Sequence, residues 1–211
     1  MTKSSDRLLI GNVLKSIRIK KDIPIKQIAK KMKVSESMIS QLETGKNNFS
    51  KDKIIVYTNI CGCSFNFNIN RRDIIEKLID VYKIYSELKI EKFNNAISNL
   101  KKIPDIAFSS ARFEYYLILY MDNIVNKNIS NVEFIEKMIE IGINSFTNNE
   151  LAIYYDMQGL KYIYSKNSIK AVKFLEKSIS FNSNFLMNNY HYCTIFLNLG
   201  YYNLAQIFIN K

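Results

Sequence analysis

The residues whose types and spacing can do chemistry lie between Ser35 and Asn47. Ser35, Glu36, Ser37, Ser40 and Gln41 are polar side chains interrupted by Met38 and Ile39, and Lys46 and Asn47 follow closely. Their chemistry is hydrogen bonding to base edges. Gln41 can bond adenine bidentately, Glu36 can accept from the cytosine amine, the three serines can bond either kind of edge, and Met38 can meet a thymine methyl group. Lys46 and Asn47, and more weakly Lys26, are placed for phosphate contacts, which set affinity and register but carry no sequence preference. Elsewhere there is little to support catalysis. His191, the single histidine, stands among aromatics on an apolar helix, and no Gly-rich phosphate loop, carboxylate pair or Ser/His/Asp set is present. The expectation is a protein that is not an enzyme and uses no metal or cofactor.

The charge distribution agrees with a polyanionic partner. The chain has 211 residues, 30 Lys/Arg against 19 Asp/Glu, and a net charge of +11. Residues 1–70 hold 13 basic and 5 acidic residues, a net of +8, whereas residues 71–211 hold 17 and 14 and carry only +3. A basic excess gathered in one short segment is the footprint of a small nucleic-acid-binding domain. The start Met-Thr-Lys-Ser-Ser-Asp has no apolar run that would serve as a secretory signal, so the expected location is the cytoplasm. Cys61 and Cys63 are one residue apart and Cys193 is distant, which fits three reduced thiols. No charged residue occurs from Ser178 to Asn210, but seven asparagines and Gln206 make that stretch a poor membrane span and a better buried surface.

With 6 Gly, 2 Pro and 47% hydrophobic residues, the chain has a buried core and little turn punctuation, so it should be all-α. Leu9, Ile10, Val13, Leu14 and Ile17 form one helical stripe. Pro24 opens a second, short helix whose buried face is Ile25, Ile28, Ala29 and Met32. Ser35 caps a third with Met38, Ile39 and Leu42 inward, and Gly45 supplies its stop. Short helices joined by Lys33, Val34 and Ser35 describe a helix-turn-helix.

The run from Ile28 to Lys46, with Ala29, Val34, Ser35, Ile39, Ser40, Glu43 and Gly45 at their pattern positions, resembles the Xre or phage-repressor helix-turn-helix domains over residues 8–68. The resemblance implies an ion pair between Arg18 of the first helix and Glu43 at the end of the recognition helix, and it implies double-stranded DNA as the partner. Two positions depart from that family: Ile25 replaces a Gln that often contacts phosphate, and Phe49 replaces a common Pro. We expect an N-terminal domain of about five helices over 1–70.

Beyond Asn70 a different pattern begins, with Ile74, Ile75, Leu78, Ile79, Tyr82 and Tyr85 on one stripe. Gly159, Ala171 and Leu175 recur 34 residues later as Cys193, Ala205 and Ile209, the period of tetratricopeptide units. Residues 71–211 should form four helical hairpins near 73–103, 107–146, 150–181 and 185–210. A basic helix-turn-helix domain followed by such an array resembles the Rgg and PlcR peptide-responsive regulators, which implies a dimeric transcription factor that binds a short signalling peptide. By the repeat register Tyr82, Tyr85, Asp156, Tyr164, Tyr190, Thr194 and Asn198 would line the peptide groove. The uncharged end, through Tyr192, Phe196, Leu199, Tyr202, Ile207 and Phe208, would cover itself by forming a homodimer. The alternative is a phage or antitoxin-like repressor whose helical domain grips a protein partner.

Overall fold

The computed structural model describes residues 4–182, 187–201 and 205. Among them are eleven α-helices and no strand, only an isolated bridge between Asn66 and Ser109. The fold is all-α. None of the described helices is long and apolar enough to cross a membrane.

Four helices occupy the first seventy residues: α1 (Ser4–Lys20), α2 (Ile25–Met32), α3 (Glu36–Glu43) and α4 (Lys51–Ile60). Their core includes residues read from periodicity, Leu9, Val13, Leu14 and Ile17 of α1, Ile28 and Ala29 of α2, and Ile39 and Leu42 of α3, joined by Ile54 and Tyr57 of α4. Ile25 and Met32 are half-buried. Side-chain caps open α3 and α4, where Ser35 Oγ accepts from Met38 N at 3.1 Å and Ser50 Oγ accepts from Lys53 N at 3.3 Å. Between α2 and α3 the chain turns at Lys33, whose φ is +55°. The Val34 N–H then donates to Ala29 O at 3.0 Å, so a lysine holds a left-handed cap position that glycine fills at lower cost.

Seven further helices follow: α5 (Arg71–Ser86), α6 (Ile90–Lys101), α7 (Arg112–Val125), α8 (Val132–Gly142), α9 (Asn148–Tyr164), α10 (Ser168–Phe181) and α11 (Met187–Asn198). Helices α5, α7, α9 and α11 all end in the same way. Leu88, Lys127, Lys166 and Gly200 each take a left-handed conformation, with φ between +56° and +78°. Each of their N–H groups donates to the carbonyl three residues back. After three of them the next residue donates five back: Asn128 to Asn123, Asn167 to Tyr162 and Tyr201 to Phe196. The intervals between these turns are 39, 39 and 34 residues, so the spacing read from the sequence holds only between the last two.

The chain forms two compact units, which do not follow a single cut. One comprises Met1–Ile74, Lys102–Tyr116 and Glu133–Ser145; the other comprises Ile75–Lys101, Leu117–Val132 and Phe146–Lys211. In the first unit the guanidinium of Arg112 is fully buried. It donates to Ser16 Oγ at 2.6 Å, to Tyr116 Oη at 3.0 Å and to the Ala107 carbonyl, and lies over the Tyr116 ring at 5.0 Å. Burial holds its pKa below the usual arginine value. Arg71 donates to buried Glu114 at 2.6 Å and to the Ser145 carbonyl at 2.7 Å. In this way segments after residue 100 become part of the unit that contains α1 to α4.

Packing of α1 on α3 depends on Gly11. A Cβ there would sit 2.5 Å from the Leu42 carbonyl oxygen and 2.7 Å from that of Glu43. Those are backbone atoms and cannot swing away. Gly11→Ala should therefore lower stability by about 1–3 kcal/mol despite the better helix propensity of alanine; urea denaturation followed by circular dichroism would check this, and an unchanged midpoint would disprove the close approach.

Candidate functional site

The outer face of α3 carries the polar residues picked out above. Ser35, Glu36, Ser37, Ser40 and Gln41 are exposed, while Met38 is half-buried. Ile39 and Leu42, at three and four residues' spacing from them, are fully buried. The helix therefore presents one continuous polar face and buries the opposite one. Its first turn carries Glu36, and the Ser35 hydroxyl is occupied by the cap, leaving its lone pairs less available to a base.

Three groups hold the end of this helix. Arg18 Nε donates to Glu43 Oε1 and Arg18 Nη2 to Glu43 Oε2, both at 2.8 Å, and Arg18 Nη1 donates to the Ile23 carbonyl at 3.1 Å. Tyr57 Oη donates to Glu43 Oε1 at 2.5 Å. One buried carboxylate thus ties α3 to α1, to the turn after α1 and to α4. The hydrogen bond to Glu43 raises the Arg18 pKa above its ordinary value, and burial followed by the Glu43 charge does the same for the Tyr57 phenol. Both groups stay protonated donors. The Arg18–Glu43 pair was expected; Tyr57 was not, because only the folded chain brings residue 57 beside residue 43.

Asn47, expected as a phosphate ligand, bonds Gln41 in this structure. Its Nδ2 donates to Gln41 Oε1 at 2.7 Å and its backbone N–H donates to the Gln41 carbonyl at 3.1 Å. It occupies the Gln41 amide oxygen and leaves that group's NH2 outside this bond. Lys46 and Lys26 are exposed, and Gln27 is exposed one residue after Lys26 on the first turn of α2. Gln27 is a polar side chain that the sequence reading passed over; its signal was its position next to the Ile25 departure. Burial pushes the nearby Cys61 thiol up to about 11 and also raises Cys63, which favours the thiol form of both.

In the second unit the expected groove residues divide into two sets. Tyr82 and Asp156 are buried and turned inward: Tyr82 Oη donates to Asp156 Oδ2 at 2.9 Å, and Asp156 Oδ1 pairs with His191 Nδ1 at 2.9 Å. Tyr85 Oη meets His191 Nε2 at 3.3 Å, so both nitrogens of this buried ring are engaged. Burial raises the phenol pKa of Tyr82 and Tyr85, with the Asp156 charge adding to it. Tyr85, Tyr164, Tyr190 and Thr194 border a cavity of about 320 Å³, and Tyr164, Thr194 and Asn198 border one of about 470 Å³. Tyr192 packs in a core with Ile163, Ala171, Leu175 and Ile195, and Phe196 lies against it, while Leu199 is exposed. Tyr202, Ile207 and Phe208 lie outside the described residues. Among the described residues no group of three His, Cys, Asp or Glu could hold a metal ion.

Residues 14–68 match the helix-turn-helix family. The matched segment begins in α1 and ends beyond α4, so it contains Arg18, Glu43, Tyr57 and the whole polar face of α3. It spans about a quarter of the chain. No curated protein and no solved structure matches the chain.

Removing the carboxylate should expose how much depends on it. Glu43→Ala strands a largely buried guanidinium and should cost about 3–5 kcal/mol, whereas Asp80→Ala, which breaks the exposed pair with Lys83, should change stability by less than about 1 kcal/mol. Chemical denaturation of both variants, read at 222 nm, makes the comparison.

Proposed function

We propose that the chain is a sequence-specific DNA-binding transcriptional regulator that acts as a homodimer and responds to a short peptide bound by its second unit. The observation that carries the DNA reading is the exposed polar face of α3, held by Arg18, Glu43 and Tyr57 inside a segment that matches the helix-turn-helix family. A helix that enters a major groove about 12 Å wide must offer short polar side chains at a fixed pitch. Ser37, Ser40 and Gln41 would read bases, with Glu36 restricting them to edges that donate. Lys46 and Lys26 would bond phosphates, and the excess of basic residues in the first seventy adds a field that favours polyanions.

Homodimer formation would place two recognition helices on a palindromic site, and the exposed apolar residues Leu197, Leu199 and Tyr201 support an association of this kind at the end of α11. Peptide control is supported by Tyr164, Tyr190, Thr194 and Asn198, which border open cavities with both ring surface and amide groups.

Footprinting on the DNA upstream of its own gene, with two variants, tests the reading. Gln41→Ala should relax preference at one base position by about 1–3 kcal/mol. Lys46→Ala should weaken binding to all sequences alike and reduce the salt slope by about one. If neither substitution altered binding, α3 would not be the recognition helix.

A further inference from the structure

The two cavities of the second unit differ in chemistry but share a wall. Tyr164, Ile163 and Thr194 border both. On one side the lining is Leu88, Ile90, Val125, Leu160 and Tyr190, with the Tyr85 and His191 rings beneath. On the other it is Lys166, Ser168 and Asn198, beside Ile195 and Leu199. A compartment of about 320 Å³ lined mainly by aliphatic and aromatic side chains therefore adjoins one of about 470 Å³ to which Lys166, Ser168 and Asn198 add polar groups.

Three observations say what the pair of compartments would take. First, Leu88, Ile90, Tyr164, Tyr190 and Leu199 stay between 41% and 52% exposed although each borders a cavity. Exposed apolar side chains scattered singly need no explanation, but five along two adjoining cavities mark a surface that a ligand would cover. Second, among the described residues Lys166 is the one charged residue that lines either compartment, and no Asp or Glu among them does so. The Lys127 ammonium adds a second positive charge, 4.9 Å from the centre of the Tyr164 ring at the shared wall. Third, the buried His191 has both ring nitrogens engaged by Asp156 and Tyr85, so the apolar compartment's floor offers no unpaired polar group to a ligand. The geometry points to a ligand with an apolar body and one anionic end.

We infer that these compartments bind an amphipathic carboxylate, its chain among Leu88, Ile90, Val125 and Leu160 and its carboxylate at Lys166. A free acid and the C-terminal residue of a peptide share this chemistry. The inference deepens the reading of the second unit as an effector-binding unit, and it rests on that reading only for what binding does to DNA affinity. Binding itself is measurable without DNA.

Isothermal titration of the full chain at pH 7.5 would use octanoate, 1-octanol, and N-acetyl-leucyl-leucine as its acid and as its amide. At least one acid should bind, at least tenfold more tightly than its neutral counterpart, and the tighter of the two acids identifies the source. Lys166→Asn should remove that tenfold preference; asparagine tolerates the left-handed backbone at this position, φ +56°, so the fold is retained and a thermal melt confirms it. Val125→Trp, which fills the apolar compartment, should weaken the acid and neutral forms together. No binding by either acid, equal binding of acids and neutral forms, or a preference that survives Lys166→Asn would overturn the inference. If an acid binds as described but leaves DNA affinity unchanged, the site stands and the effector reading falls.

Discussion

The Glu43 carboxylate is the constraint on which the DNA-facing surface depends. An ionised carboxylate is costly to bury unless its oxygens are satisfied, and here Arg18 and Tyr57 between them satisfy both. Because the guanidinium fork fixes direction as well as distance, the end of α3 cannot rotate about its own axis without breaking two parallel hydrogen bonds. Gly11 lets the backbone of α1 come close enough for that fork to reach. Rotation of α3 by one residue would turn Ile39 and Leu42 outward and bury Ser40 and Gln41, so the pair and the core enforce the same orientation. Replacing such a pair by well-packed apolar side chains is often neutral for stability. What apolar packing alone would not supply is the fixed pitch.

Much of the first seventy residues was legible in the sequence because each local signal agreed with the others. Apolar spacing, the Ser35 cap and the Gly45 stop bound α3 independently, and periodicity found the buried apolar residues of α1 to α3. The Arg18–Glu43 pair came from family resemblance, since the spacing of residues 18 and 43 carries no local signal. Tyr57 and Arg112 were beyond reach for the same reason. Arg112 stands 96 residues from its Ser16 partner, and a lone arginine opening an apolar helix reads as a surface residue. Asn47 adds a contact that its place after the helix did not reveal, the bond from its amide to Gln41.

The second unit was legible as helices and less legible as a surface. Four helix ends share a left-handed turn, yet three of the four residues that adopt it are Leu88, Lys127 and Lys166, which give no glycine signal. Their spacing of 39 residues twice and 34 once also hid the recurrence from a search at one period. The polar positions of α5 and α9 followed the expected face, but burial depends on what crosses that face. Asp156 took Tyr82 on one oxygen and His191 of α11 on the other and closed a buried network, whereas Tyr164, nearer the end of α9, remained open.

That network also decides how the unit can handle a ligand. In a buried chain from Tyr82 through Asp156 and His191 to Tyr85, each member supplies the partner the next requires. With the imidazole proton on Nδ1 toward Asp156, Nε2 is left to accept from the Tyr85 hydroxyl, and no nucleophile is among its partners. The arrangement engages both nitrogens of the buried ring. Its consequence is mechanical: α5, α9 and α11 are joined beneath the cavities by directional bonds that lose strength when a partner is displaced. Tyr85 and His191 belong both to this network and to the lining of the apolar compartment. A ligand that presses on that lining would therefore act on the bonds that hold three helices together, which a ligand confined to the exposed rims could not do.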